Sequence, residues 1–228
     1  AFSGMLAAML LQQNMPMPLA IIISILAGTA LGALCGLLIY AGNVPAFIAT
    51  LGSMSIVRGV VMLMSNANKI PVPAAFSDFA VTRWLGIPAM VYVWLLIVIV
   101  SIIMSRYTTF GRNIYAIGSN IETARLSGIR IGVNTCGIYA FSAFCASVAG
   151  LLMTTRLGSG TPTAGQGMEM DAVAAAVVGG ASLSGASGSV LGTILGTLII
   201  AMIRNGGQLI GINSFVLDIA VGALIVIA

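Results

Sequence analysis

The side chains that could do chemistry are few. Nine basic and five acidic residues occur in 228, and there is no histidine. The commonest general base and metal ligand is therefore missing, and with it most hydrolytic mechanisms. Cys35, Cys136 and Cys145 lie inside apolar runs with no paired ligand spacing, so they read as buried free thiols. No G-x-x-x-x-G-K-S/T loop is available to cradle phosphates, and Lys69 is the sole lysine. The chain is expected to have no catalytic residues, metal site or cofactor of its own.

What the polar residues offer instead is contact and charge placement. Residues 106–132 form the longest polar stretch, and within it Ser119-Asn120-Ile121-Glu122 fits a capping box. There the serine hydroxyl and the glutamate carboxylate would satisfy the free amides at a helix start. Gly128 suits the left-handed residue that ends a helix. Between them, Thr123, Ala124 and Arg125 complete a helix of about two turns, too short to be stable alone in water. Such a doubly capped helix is either a contact element for another protein or an ordinary structured loop.

Two ionisable residues fall inside apolar runs, Arg58 and Asp218, at similar expected depth. Charges there are costly, so the two pair or both face a hydrated cavity. They then line a solute route, or serve as a structural ion pair or a snorkelling side chain. Glu169 and Asp171 flank the start of a short apolar run, 171–180, where acids favour a helix N-terminus. That run passes into GGASLSGASG, too flexible for a helix interior. Its Gly179, Gly180, Ser182, Ser184 and Gly185 are candidates for an inner gate or a second partner contact.

The elements that must carry these residues follow from composition. The chain is 59% hydrophobic and 6% charged, against about a quarter charged in soluble domains. Mean hydropathy is +1.12. The nine basic residues are scattered without a stripe or stacking platform, which excludes a nucleic-acid partner. The solvent is lipid, where a helix of about 20 apolar residues crosses the core. Such runs occur at 19–41, 47–64, 91–105 with its flanks, 133–155, 190–203 and 215–228, with partial spans at 1–11 and 171–180. None shows the polar–apolar alternation of a lipid-facing barrel strand. The fold class is all-α: a polytopic transmembrane bundle with one half-span.

Orientation rests on arginines. Segment 106–132 holds Arg106, Arg112, Arg125 and Arg130 against Glu122, which places it in the cytoplasm. Loops 65–89 and 156–170 then lie outside and the glycine loop inside, with Trp84 and Trp94 near the outer leaflet. Arg204 falls outside, against the rule. Gly28, Gly32 and Gly36, and likewise Gly188, Gly192 and Gly196, repeat at helical spacing. Each line would let a neighbouring backbone approach closely, as a gating surface or as static packing.

Glu122-Thr123-Ala124 followed by Gly128 resembles the EAA-x-x-x-G signature of permease subunits of ATP-binding-cassette importers, with Thr123 in place of the first alanine. The wider stretch FGRNIYAIGSNIETARLSGI, with VPAFIATLGSMSIVRG at 44–59 and MEMDAVAAAVVGGASLSG at 168–185, is similar to the ribose/galactose/xylose/arabinose branch of that family. The resemblance implies a single permease domain over 1–228, multi-pass in the bacterial inner membrane. It also implies a cytoplasmic ATPase subunit that uses ATP, a second permease subunit (identical or not), an extracytoplasmic sugar-binding protein, and surrounding membrane lipid. Ser119–Gly128 would be the coupling helix set in a groove of the ATPase. The ends, an uncharged AFSGMLAAMLL and an apolar GALIVIA, suggest further helices before residue 1 and a short tail after 228.

Rivals from other classes are disfavoured by residues that are missing. An ion-coupled secondary transporter for a small polar solute would place acids near mid-membrane at broken helices, whereas runs 19–41 and 133–155 carry none. An intramembrane enzyme would need a nucleophile paired with a base. The identity of the sugar is not written in the sequence.

Overall fold

A computed structural model describes residues 1–182, 185 and 187–227 of the chain. The elements follow in chain order as α1 (Phe2–Gln12), α2 (Met17–Ala41), α3 (Ala46–Ser65), β1 (Ile70–Pro71), α4 (Ala74–Val81), β2 (Arg83–Trp84), β3 (Ile87–Pro88) and α5 (Ala89–Tyr107). Then come α6 (Thr109–Ser119), α7 (Ile121–Leu126), α8 (Ile131–Leu157), β4 (Ser159–Gly160), α9 (Met168–Val178), α10 (Val190–Leu209) and α11 (Ser214–Ile227). Five of these, α2, α3, α5, α8 and α10, are long and apolar enough to cross a membrane. Their outward leucines and isoleucines stay uncovered by the chain itself, Leu26 at 62% and Leu195 at 62% exposure among them. An outward face of that kind needs lipid or another apolar surface against it. The all-α membrane bundle expected from the sequence is what forms.

The chain divides into two compact units, Ala1–Ile97 with Arg130–Gly165, and Val98–Ile129 with Gln166–Ala228. In the first, α2 and α8 pack along a seam of small residues. Gly28, Gly32 and Gly36 are buried. A Cβ on Gly28 would meet the Ser147 hydroxyl, one on Gly32 would lie 2.5 Å from the Tyr139 carbonyl, and one on Gly36 would lie 2.7 Å from Cys136 Cα. The glycine line is therefore a packing seam, in which the missing side chains let two backbones meet. α1 joins the same face of α8. Ser3 donates its hydroxyl to the Ser147 carbonyl at 2.9 Å, and Gly4 leaves no room for a Cβ beside Gly150 and Thr154.

Loops 65–89 and 156–170, both expected on the outer face, meet in the first unit. Ile70 pairs with Gly160 and Pro71 with Ser159 in the β1–β4 ladder, and the Val72 amide donates to the Gly158 carbonyl at 3.2 Å. Two loops can share a ladder only on one side of the membrane. The first loop also contains α4, a helix within a stretch whose polar, proline-containing sequence predicts a loop. Its Phe76, 3% exposed, packs into a cluster with Ala7, Leu11, Ala20 and Leu151.

In the second unit, α9, α10 and α11 share an apolar cluster of Ala174, Ala175, Ile200 and Val221. α9 and α10 come together at glycines. A Cβ on Gly192 would strike the Gly179 carbonyl, and one on Gly196 would strike the Ala175 carbonyl. The second expected glycine line holds only for Gly192 and Gly196, because Gly188 is not on this face. Ser189 caps α10, its hydroxyl accepting from the Gly192 amide at 3.0 Å. Gly188 thus precedes the helix, with φ +151. α9 is a half-span, as expected: 11 residues rise about 16 Å of a core about 30 Å thick. It stops where Gly180 turns left-handed at φ +84 and the Gly180 and Ala181 amides donate back to the Val177 and Ala176 carbonyls.

Candidate functional site

The polar segment 106–132 is more ordered than its composition suggests. Thr108 turns the chain from α5 into α6. Its hydroxyl donates to the Met104 carbonyl at 2.6 Å and accepts from the Gly111 amide at 3.2 Å. Gly111 is buried in that corner, where a Cβ would sit 2.5 Å from the Met104 carbonyl. α6 itself was missed from sequence because Arg112 and Asn113 interrupt its apolar pattern. The available signal was the cap at Thr108, followed by Phe110, Ile114 and Ile117 at spacings of four and three.

α7 then forms the expected short helix, with its cap one residue later than expected. Ser119 is the last residue of α6. The N-cap is Asn120, extended at φ −158 and ψ 111, with its side-chain oxygen accepting from the Glu122 and Thr123 amides, both at 3.0 Å. A capping residue must be non-helical so that its side chain can turn back onto the first amides. Ser119, already committed to a helix, cannot do this. Gly128 plays its expected part: it is left-handed at φ +78 and donates to the Arg125 carbonyl, while Ile129 donates to that of Ala124.

A six-residue helix gains little from propagation, so these two caps and Ala124, 3% exposed, hold it in place. Thr123 is exposed. Glu122 and Arg125 form an ion pair at 3.3 Å with both side chains largely in solvent, an arrangement worth well under about 1 kcal/mol. Beside them Leu126 is 89% exposed and Ile121 47%. α7 therefore presents apolar and charged groups together, on backbone that is fixed at both ends.

The glycine loop lies against the helix that leads into α7. Its ends are drawn together by the Ser182 amide donating to the Ser187 carbonyl at 3.0 Å, and Gly185, left-handed at φ +94, donates to the Ser182 carbonyl. The Tyr115 hydroxyl on α6 donates to the Gly188 carbonyl at 3.0 Å. A Cβ on Gly185 would lie 2.6 Å from the carbonyl oxygen of Gly118, also on α6. Gly185 thus lies against the end of α6, just before α7. Gly179 and Gly180 end α9, and Ser182 is exposed. Ser184 lies outside the described residues.

The charged residues differ from expectation. Asp218 was expected beside Arg58, but the guanidinium it meets is that of Arg204, at 3.0 Å, with Asp171 on the same guanidinium at 2.6 Å. Arg58 stands half-buried on α3, in the other unit. Asp171 is in the first turn of α9, as expected, and its carboxylate also ties α9 to α10. Two carboxylates around one guanidinium hold its charge in a partly buried setting, and with both ionised the cluster carries a net charge of −1. α10 runs to Leu209, past the expected end at residue 203. Pairings 33 and 14 residues apart leave no local signal in the sequence.

Comparison with known proteins adds to this geometry. The family described as "Branched-chain amino acid transport system / permease component" matches residues 1–228. The ribose import permease protein RbsC of Haemophilus influenzae is 38% identical over 235 aligned residues, covering all of this chain and 72% of that protein. The D-allose transport system permease protein AlsC of Escherichia coli K12 is 35% identical, with 100% of this chain and 71% of that protein covered. The probable ABC transporter permease protein YphD of the same organism is 41% identical across 82% of this chain and 56% of its own length. No solved structure matches.

Proposed function

Since the chain belongs to this family of transport-system permease components, and is a multi-pass transport subunit whose ATP hydrolysis is carried by a separate ATPase, we propose that it forms the inner-membrane pathway for a monosaccharide. The family description names branched-chain amino acids, while the two relatives covered over this whole chain carry the names of aldoses, ribose and allose. A small, neutral, polyhydroxylated cargo is the reading those names support. In this proposal an extracytoplasmic binding protein delivers the sugar, and a second permease subunit completes the pathway.

The observation that carries the proposal is α7. A membrane subunit without a phosphate-binding loop must receive work from outside itself, and a doubly capped helix with Leu126 open to solvent beside Glu122 and Arg125 suits a groove on a soluble motor. The alternative of ion coupling finds no support. Such transporters hold their cation with acids at broken helices, whereas Asp171 in the half-span and Asp218 in α11 are engaged by Arg204.

Reconstitution with the ATPase and binding protein tests the proposal. Uptake of labelled ribose or allose is expected to stop on ATP depletion and to ignore an uncoupler at fixed ATP. Glu122→Ala and Gly128→Pro, the latter unable to reach a positive φ, are expected to insert normally while recovering less ATPase on co-purification. Undiminished recovery from both removes α7 from this role.

A further inference from the structure

We infer that Tyr115 is a positioning residue that relays movement of the ATPase-facing helix α7 to the packed helices α9 and α10, through its hydrogen bond to the Gly188 carbonyl. The inference rests on the proposed docking of α7 and deepens it.

The chain of contacts is short and lies within one compact unit. α7 follows α6 across the single residue Asn120, whose amide donates to the Ala116 carbonyl at 3.1 Å. A push on α7 therefore reaches α6 with little slack. From α6, Tyr115 reaches across 73 residues of sequence to the Gly188 carbonyl at 3.0 Å. Gly188 immediately precedes Ser189, the residue that caps α10. One turn away on α6, Gly118 abuts Gly185 so closely that no Cβ could lie between them. The loop is thus both held by a bond and braced by backbone.

Beyond the loop the helices are fixed to each other at both ends. Near the loop, Gly192 and Gly196 sit against the Gly179 and Ala175 backbone. At the other end of α10, Arg204 binds Asp171 on α9 and Asp218 on α11. Packed elements joined in this way shift as a body and do not deform continuously. The hydroxyl of Tyr115 thus ties α6 directly to the residue that precedes the α10 cap. Tyr115 is partly open to solvent, at 38% exposure, so its phenol can be altered without opening a cavity in a core.

The test uses the assembled complex with the native cysteines replaced, and reports from two sites. Leu126→Cys reads contact of α7 with the ATPase, and Leu191→Cys, at the start of α10, reads displacement of α10. Maleimide labelling rates are measured with the ATPase, with and without a non-hydrolysable ATP analogue. In the parent protein both rates are expected to respond to nucleotide. Tyr115→Phe is expected to keep the response at residue 126 and to shrink that at residue 191 roughly two- to tenfold, the range that loss of one hydrogen bond spans. Gly185→Ala should act in the same direction, and Tyr107→Phe, an exposed tyrosine on α5, should change neither. A full response at residue 191 in Tyr115→Phe, or none in the parent, overturns the relay. No protection of residue 126 by the ATPase would instead overturn the docking of α7 itself.

Discussion

Replacement of Arg204 by leucine should expose the unequal strengths of its two ion pairs. Asp171 approaches at 2.6 Å with 24% of its side chain exposed, while Asp218 approaches at 3.0 Å with 59% exposed. A charge-assisted hydrogen bond in a partly dry site contributes about 1.5–3 kcal/mol, and a pair with one member mostly in solvent about 0.2–1 kcal/mol. The Asp171–Arg204 coupling should therefore be about 1.5 kcal/mol or more and exceed that of Asp218–Arg204 about 1.5-fold or more. Double-mutant cycles built from Arg204→Leu with Asp171→Asn and with Asp218→Asn, read by thermal unfolding in detergent, measure both couplings. Equal couplings, a larger one for Asp218, or an Arg204→Leu variant as stable as the parent would refute this assignment of strengths.

Other outcomes follow from the same geometry. Gly32→Leu should destabilise by about 1–3 kcal/mol through overpacking of the α2–α8 seam, while Gly52→Leu, where a Cβ would have nothing within 4 Å, should be neutral or mildly stabilising in detergent unfolding. Asn120→Ala should weaken α7 by about 0.5–2 kcal/mol and reduce ATPase co-purification, with Ser119→Ala close to the parent. Gly128→Ala, forced to φ +78, should cost about 1–2 kcal/mol and lower the same recovery without loss of membrane insertion.

The elements legible in the sequence are those that lipid dictates. α2, α3, α5 and α8 appear within two residues of the expected ends, because an apolar run of that length, even with Arg58 inside α3, has little alternative to a membrane helix. The half-span and its glycine loop were legible for a related reason, since Gly179 and Gly180 stop a helix that is too short to cross. α6 was hidden because it is amphipathic and carries Arg112 and Asn113 into what looks like a polar loop. α4 was hidden because Phe76 earns its burial only against α1, α2 and α8, which are distant in sequence. At the site, Gly128 was legible because its role is local to the backbone. The choice between Ser119 and Asn120 turned on where α6 ends. The partners of Asp218 and Tyr115 depend on packing across many residues, and no spacing rule reaches them.

The central claim is that α7 faces the cell interior and meets a motor protein. Its most direct test is labelling of Leu126→Cys, 89% exposed at the end of α7, with a membrane-impermeant maleimide in intact cells and in inside-out vesicles. Labelling only in inside-out vesicles, suppressed when the ATPase is bound, is the predicted result. Labelling in intact cells would place α7 outside and contradict both the topology and the transport mechanism built on it.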